Sequence, residues 1–260
     1  MASLKEIRTR VSSVSSTRQI TSAMKMVSAS KLKKAQDAIL QMRPYANKLH
    51  EILVNLASNI DNREDNVYGR QRDIEKVLIV TVSANRGLCG AFNANVVKKA
   101  IELAKTNYSK QLAAGNIDFI SIGKKSGDLL KSKGYKLVSD YNDIYDNLNF
   151  EEVTLIAQEL MSFFTEGKYD RIDLIYNQFK NAAVQILKHE QFLPVKIEEN
   201  KDKTEAQSKD YIFEPSKEYI VNELIPKSLK VQVYKAILDS QAAEHGARMT
   251  AMHMATDNAT

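Results

Sequence analysis

The chain opens with a long stretch that contains no helix breaker. Residues 4–43 are LKEIRTRVSSVSSTRQITSAMKMVSASKLKKAQDAILQMR, with neither glycine nor proline. Because glycine costs about 1 kcal/mol and proline about 3 kcal/mol inside a helix, this stretch predicts one long helix. Ser3 and Glu6 have the spacing of a capping box at its start. Pro44 is expected to kink the helix, or to end it before a second helical segment that continues to Ile60.

Apolar residues recur along this helix at alternating steps of three and four, the spacing of a coiled-coil seam. The series is Leu4, Ile7, Val11, Val14, Arg18, Thr21, Lys25, Ser28, Leu32, Ala35, Ile39 and Met42. Its middle members, from Arg18 to Ser28, are polar, and the apolar Ile20, Met24 and Val27 shift to a neighbouring stripe, as a stutter in the heptad produces. The series therefore predicts a partner helix.

The C-terminal segment supplies a candidate partner. Residues 227–260 contain one glycine and no proline, and small side chains recur there every three or four positions. They are Ser240, Ala243, Ala247, Ala251, Ala255 and Ala259. Small side chains allow a second helix to approach closely, so we expect a long antiparallel coiled coil of the N- and C-terminal helices. The alternative is that both helices pack as ordinary core.

The middle of the chain alternates strand and helix patterns. The predicted strands are Lys76–Ala84, Ile117–Gly123, Lys136–Tyr141, Arg171–Phe179 and Val184–Val195, and the predicted helices are Asn93–Lys105, Ser126–Lys131 and Glu151–Thr165. This alternation predicts a Rossmann-like α/β domain whose last two strands form an antiparallel hairpin. Ile197–Asp210 is a charged, apolar-poor loop. We expect an N-terminal coiled-coil helix in 1–60, the α/β domain in 61–215 and the C-terminal helix in 216–260.

Composition excludes several classes of protein. The single cysteine, Cys89, excludes an internal disulfide framework, and no apolar run reaches the 18–20 or so residues of a membrane span. Residues 1–60 hold ten lysines and arginines against three acidic residues, which could indicate a nucleic-acid arm or, over Met1–Ile20, a transit peptide. The basic residues are scattered around the helix, and the helical pattern continues past residue 40. We therefore expect neither.

No pattern typical of catalysis or cofactor binding is complete. Gly123-Lys124-Lys125-Ser126-Gly127 lacks the upstream glycine of a phosphate loop, and no G-x-G-x-x-G follows the first strand. His245 and His253 are eight residues apart, which does not suit one metal ion. Cys89 lies in a strand-to-helix turn where a thiol of low pKa could sit, although an inert thiol is the alternative. We expect no catalytic residue, cofactor or metal.

Three blocks of this sequence resemble the gamma subunit of F-type ATP synthases. Leu4–Gln36 is similar to the N-terminal helix of that family, Ser83–Asn93 (SANRGLCGAFN) to its glycine-rich turn, and Glu244–Asn258 (EHGARMTAMHMATDN) to its C-terminal helix. The blocks have the order of the family. Its members usually continue the last helix some way beyond the position of Thr260, so we expect the C-terminal helix here to be truncated.

The resemblance implies a non-catalytic rotor shaft that couples proton translocation to ATP synthesis and hydrolysis. It implies a coiled coil inside a ring of three alpha and three beta subunits, and an α/β domain on the epsilon subunit and the membrane c-ring. Contacts with the beta subunits are expected at Met24 and Lys25, with Arg248 holding that region, although this polar stretch could instead be a solvated face. The family turn corresponds here to Arg86, Gly87, Cys89 and Gly90.

We also expect the location that the resemblance implies. The sequence already matches the family from Leu4 onward, without a presequence. We therefore expect a bacterial protein, peripheral on the cytoplasmic side of the inner membrane and attached through its partners. A lone cysteine cannot form the internal disulfide of chloroplast members.

Overall fold

The computed structural model of the chain describes residues 4–57, 67–195 and 217–260. The first helix, α1, runs from Leu4 to Ala57, and the last helix, α6, runs from Lys217 to Asp257. At 1.5 Å per residue the 54 residues of α1 span about 80 Å. Pro44 and Pro226 lie inside these helices, and neither proline ends its helix. The predicted cap at Ser3 and the loop Ile197–Asp210 lie outside the described residues.

The segment that separates the two long helices in the sequence forms an α/β sandwich. The strands are β1 (Val77–Val82), β2 (Ile117–Ile122), β3 (Leu137–Tyr141), β4 (Arg171–Phe179) and β5 (Gln185–Leu193). The shorter helices are α2 (Phe92–Thr106), α3 (Ser109–Ala113), α4 (Lys124–Ser132) and α5 (Phe150–Thr165), and a 3-10 turn covers Asp143–Tyr145. The strands and helices predicted for the middle of the chain are present, and among the described residues the short α3 and the 3-10 turn were not expected.

The strands form one sheet in the order β3-β2-β1-β4-β5. The first four strands are parallel, and β5 pairs with β4 antiparallel at one edge, as expected for a hairpin. Every residue of β1 is buried, because this central strand is covered on both faces. The expected Rossmann-like architecture is therefore confirmed.

The two faces of the sheet are covered by different helices. Val77, Ile79 and Phe119 point towards α2 and α4, where they pack against Val96 and Leu130. The opposite face packs against α5 and the first half of α6. The buried residues that α6 contributes lie three or four positions apart except for the adjacent last pair, and they are Ile225, Leu229, Val233, Ala236 and Ile237. One face of α6 thus completes the core of the α/β domain.

The second half of α6 pairs with α1 as an antiparallel coiled coil, which confirms the expected architecture. Leu32, Ala35 and Ile39 of α1 are buried, and so are the polar seam members Thr21 and Ser28. Thr256 donates a hydrogen bond to Thr21 (Oγ1–Oγ1, 2.8 Å), so the C-terminal end of α6 lies level with Thr21.

The apolar seam predicted over the first turns of α1 is not covered by a partner helix among the described residues. Leu4, Ile7, Val11 and Val14 are exposed, since no described residue of α6 extends that far along α1. Ile20 and Val27 are exposed too, which agrees with their predicted shift away from the seam. The apolar stripe at the start of α1 therefore has no partner helix among the described residues.

Gly123 lies where β2 turns into α4, and no side chain fits there. Its φ is +95°, and a Cβ atom would lie 2.1 Å from the carbonyl oxygen of Ser83. We expect Gly123→Ala to lower the free energy of unfolding by more than about 3 kcal/mol, since backbone must move in addition to the strain of a positive φ. Chemical denaturation of the purified chain measures this change.

Gly134→Ala is the matched control. Its φ is +80°, but nothing lies within 4 Å of the position of its Cβ. The expected cost is about 1 kcal/mol, from backbone strain alone. Equal losses in the two variants would contradict the close approach of Gly123 to Ser83.

A buried carboxylate, Asp173, ties β4 to its neighbours. It accepts hydrogen bonds from Tyr108 Oη and from Arg171 Nε (3.1 Å), and His189 Nε2 lies 3.2 Å from its Oδ1. Burial alone would raise the pKa of Asp173, but His189, Arg171 and Tyr108 outweigh it and hold this pKa below its ordinary value. The ionised carboxylate is therefore the form that stabilises the fold.

We expect Asp173→Asn to cost about 3 kcal/mol at pH 7, because it leaves Arg171 without its charged partner. A lowered carboxyl pKa contributes stability above the ordinary pKa and loses it as pH falls through the folded value. The difference between wild type and variant should therefore shrink below about pH 4. Urea unfolding from pH 7 to pH 3 measures it, and a constant difference would refute the assignment. Asp140→Asn, which removes an exposed pair with Lys131, should cost less than about 1 kcal/mol.

Candidate functional site

The glycine-rich turn after β1 presents an exposed leucine on strained backbone. Leu88 has a φ of 61°, which an L side chain adopts at a cost of about 1 kcal/mol, and 63% of it is exposed. Gly90 follows with a φ of 60° and bears no such cost. Backbone strain and exposure to water both disfavour a leucine at this position, so Leu88 is a candidate for contact with another chain.

Asn93, in the first turn of α2, holds the turn from within. Its Oδ1 accepts a hydrogen bond from the amide of Ala84 (2.9 Å), and its Nδ2 donates to the sulfur of Cys89 (3.2 Å). Cys89 is 2% exposed, and burial raises the pKa of its thiol, although Arg248 offsets part of the effect. The structure therefore favours an inert thiol, because Cys89 is buried within the turn and packs there.

Arg248 of α6 holds the same turn from the outside. Its Nε donates to the carbonyl of Gly87 (3.3 Å), and its Nη2 donates to the carbonyls of Arg86 (3.2 Å) and Gly87 (3.2 Å). Its Nη1 donates to Glu244 Oε1 at 2.6 Å, one turn earlier on α6. Burial raises the pKa of Glu244, and Arg248 offsets part of this rise. The guanidinium thus fixes the turn, and with it Leu88, against the shaft.

The turn between β4 and β5 also lies against α6. A Cβ atom on Gly246 would lie 3.0 Å from the carbonyl oxygen of Ala182, and Thr250 Oγ1 donates to that oxygen at 3.2 Å. Two loops at the carboxyl edge of the sheet are thus attached to α6.

The crevice at this edge of the sheet is filled by the protein itself. In doubly wound folds, ligands bind where the strand order reverses, which here is between the carboxyl ends of β1 and β4. A cluster of buried apolar side chains lies at these ends and joins them to both long helices. Its buried members are Leu32, Ala35, Ala84, Cys89, Phe92, Phe179, Ala242 and Ala243. The coiled coil therefore takes the place where a nucleotide would bind in a related fold.

The N-terminus of α4 is likewise already bonded. The amides of Lys124, Lys125 and Ser126 donate to Asn85 Oδ1 (3.0 Å), Ala84 O (3.0 Å) and Ser83 Oγ (2.9 Å). These are the donors that a phosphate group would need at a helix N-terminus. The amides of Lys124, Lys125 and Ser126 are therefore already bonded within the protein.

The histidines and carboxylates do not gather into a metal site in the described ranges. No group of three or more His, Cys, Asp or Glu side chains lies close enough there to hold an ion. His245 is buried, and burial, followed by Arg248 and Lys31, lowers its pKa to about 4. His253 lies at the surface beside Asp257 (Nδ1–Oδ2, 3.1 Å). None of the helices in the described part of the chain has the length and apolarity to cross a bilayer.

The structure brings some of the expected site residues together. Arg86, Gly87, Cys89 and Gly90 share one turn, and Arg248 bonds to it. Met24 and Lys25 are half-buried on α1, and in the described residues no hydrogen bond or ion pair links them to Arg248. Within the polar stretch of α1, Thr21 and Ser28 are buried and therefore do not belong to a solvated face. Arg18, at the start of this stretch, is exposed.

Sequence reasoning missed three residues of this region. Leu88 could have been suspected because it is a large apolar residue in a turn between two glycines. Asn93 is one of several asparagines, and nothing in the sequence indicated that its side chain closes the turn. Arg43 bonds to β4 and α6 across a long separation along the chain, which no local pattern reports.

Comparisons with known proteins agree with this architecture. Residues 3–260 match the family model described as ATP synthase. ATP synthase gamma chains from Christiangramia forsetii and Flavobacterium johnsoniae are 56% and 58% identical over 260 residues, which is all of this chain and 88% of each relative. The gamma chain of Chlorobaculum parvum is 41% identical over 259 residues, with the same coverage.

Solved structures give the same result. The fold is similar to a chain of the central stalk and c-ring of the Tetrahymena thermophila mitochondrial ATP synthase, with a TM-score of 0.66, 28% identity and coverage of 91% of this chain and 99% of that chain. It is also similar to a chain of the Euglena gracilis mitochondrial ATP synthase rotor, with a TM-score of 0.64, 21% identity and coverage of 97% and 90%. The chain therefore belongs to the family of ATP synthase gamma chains.

Proposed function

We propose that this chain is the central rotor shaft of an F-type ATP synthase, coupling proton translocation to ATP synthesis and hydrolysis in an alpha/beta head. The observation that carries the proposal is the pair of long helices, α1 and α6, that is anchored in an α/β domain and fills its ligand crevice. An elongated shaft fixed to a domain is suited to transmitting force. The similarity to gamma chains and to central-stalk structures supports the same function.

The proposed partners follow from the two parts of the molecule. The coiled coil of α1 with the second half of α6 sits inside a ring of three alpha and three beta subunits. The α/β domain, residues 61–215 together with the part of α6 that covers its sheet, docks on the epsilon subunit and the c-ring. The Tetrahymena chain with a similar fold comes from a central stalk and c-ring assembly, which supports this arrangement.

Asymmetry gives the shaft its effect on catalysis. A single coiled coil presents different side chains to each of three similar beta subunits at any instant. A contact shifts the equilibrium between two conformations only by its differential interaction with them, so each beta subunit is biased towards a different nucleotide affinity. Rotation permutes the three biases, and the chemistry of ATP belongs to the partners.

The chain itself is proposed to be non-catalytic. The filled crevice and the bonded N-terminus of α4 support this, because both remove the features with which an α/β domain holds a nucleotide. We propose that the protein is peripheral on the cytoplasmic side of a bacterial inner membrane and is attached through its partners.

Two surfaces are proposed to contact the head. The first is α1 around Met24 and Lys25, beside the exposed Ile20 and Val27. The second is the glycine-rich turn, where Arg86, Gly87, Cys89 and Gly90 fix the exposed Leu88. Arg248 acts on the second surface by holding the backbone of the turn.

Assembly tests the function directly. Co-expression with alpha and beta subunits, followed by native mass measurement, should give a complex of three alpha, three beta and one copy of this chain, with ATPase activity that depends on this chain. The purified chain alone should bind no nucleotide. A chain that stays apart from the alpha and beta subunits, or that binds ATP alone, would contradict the proposal and favour a small α/β enzyme.

Met24→Lys tests the first contact surface. It adds a second positive charge beside Lys25, and we expect ATP-driven proton pumping to fall at least several-fold while assembly is retained, because desolvating an unpaired charge at a close contact is costly. Proton uptake by vesicles that hold the complete enzyme measures this effect. Met26→Lys, at a more exposed position of the same turn, is the control and should change pumping less. Unimpaired pumping in Met24→Lys would exclude Met24 from the contact.

A further inference from the structure

One guanidinium joins three elements at the base of the coiled coil. Arg43 Nη2 of α1 donates to the carbonyl of Phe179, at the end of β4, at 2.9 Å. The same nitrogen donates to Asp239 Oδ1 of α6 at 3.0 Å. We name Arg43, Asp239 and the carbonyl of Phe179 the Arg43 clamp.

The bonds of the Arg43 clamp are costly to break, because the carboxylate of Asp239 is fully buried. Asp239 is 0% exposed, and the Arg43 side chain is one-third exposed. Burial raises the pKa of Asp239, and the guanidinium offsets part of this rise. A buried carboxylate that loses its cation is strongly destabilised, so α1 is held at the one position and rotation that keeps Arg43 within reach.

Several other contacts of α1 with the α/β domain are apolar. Leu32 and Ala35 pack against Ala84 and Phe179, and Ile52 packs against the core that α5 and α6 form on the sheet. Apolar burial opposes separation but has no preferred direction. Hydrogen bonds from a planar guanidinium depend on direction, so they oppose the rolling and sliding of a helix.

The helix α6 has a directional attachment of its own. Arg248 bonds to the carbonyls of Arg86 and Gly87 in the turn after β1. Each long helix therefore has an arginine that donates to backbone carbonyls at the sheet. The helix α6 is held in addition by Thr250, which donates to the carbonyl of Ala182, and by Gln232, which donates to the carbonyl of Gln191, so the directional joints act in parallel.

We propose that Arg43 is a positioning residue that locks α1 in rotational register with β4 and α6, and thereby sets the torsional stiffness of the joint between the shaft and the α/β domain. This inference rests on the rotor function proposed above. Torque enters through contacts along the shaft and leaves through the α/β domain, so α1 must not roll where it meets β4. Arg43 provides that resistance.

Angular fluctuation of the assembled complex measures this stiffness. The alpha/beta head is fixed to a surface, and a bead is attached to the α/β domain through Lys105→Cys, an exposed position, while the native Cys89 is buried. The angular variance of the bead is recorded during catalytic pauses for wild type and Arg43→Met. Mean-square displacement is inversely proportional to stiffness, so loss of one of several parallel joints should increase the variance, by less than about two-fold because the shaft itself also contributes to it.

Three further variants keep the test decisive. Arg43→Met combined with Asp239→Leu removes the directional bonds without leaving a buried charge, and such a replacement is often neutral for stability. This double variant should also increase the angular variance of the bead. Arg43→Lys keeps the charge but not the planar fork, and should give an intermediate variance. Lys33→Met makes the same change at an exposed position of α1 and should match wild type.

The outcomes separate the two proposals. If the wild-type complex does not assemble or does not rotate, the rotor function fails. If wild type rotates and the double variant shows the wild-type variance, the Arg43 clamp does not set the stiffness and the inference is overturned. An equal widening in Lys33→Met would overturn it as well, since loss of charge on α1 would then account for the effect.

Discussion

The helix α6 is buried along most of its length by two different partners. Its first half, with Ile225, Leu229 and Val233, completes the core under the sheet. Its second half, with Ala242 and Ala243, meets α1 and the turn after β1. Because the one helix α6 belongs both to the core under the sheet and to the coiled coil, its packing on the sheet fixes the direction of the shaft. The other elements have to fit this geometry.

Polar groups then define positions that apolar packing leaves open. Arg248 and Arg43 each connect a long helix to backbone carbonyls at the carboxyl edge of the sheet. The hydrogen bond between Thr21 and Thr256 holds the register of the coiled coil nearer its end. Polar residues within a coiled-coil seam commonly specify register at some cost in stability. The polar middle of the seam, which looked like an interruption in the sequence, thus has a structural role at Thr21 and Ser28.

Much of the fold could be predicted from the sequence, because its signals are local. The absence of glycine and proline in residues 4–43 and the apolar run Lys76–Ala84 depend on near neighbours along the chain. The candidate site was predicted only in part. The turn and Arg248 were both named, but their contact depends on the docking of α6 on the sheet, which connects residues about 160 positions apart. The exposure of Leu4–Val14 does not follow from the periodic pattern alone, because that pattern indicates that a helix has a partner and not which segment supplies it.

The filled crevice between β1 and β4 has a consequence for how the molecule behaves in a living cell. Concentrations of adenine nucleotides change with metabolic demand, and an α/β domain with an open crevice would change shape or stiffness as they rise and fall. Here the space is occupied by Leu32, Phe179 and their neighbours, which are part of the same polypeptide and never dissociate. On the rotor function and the absence of nucleotide binding proposed above, the elastic properties of the shaft do not depend on the nucleotide concentration, so the energy supply changes the load on the rotor and not its stiffness.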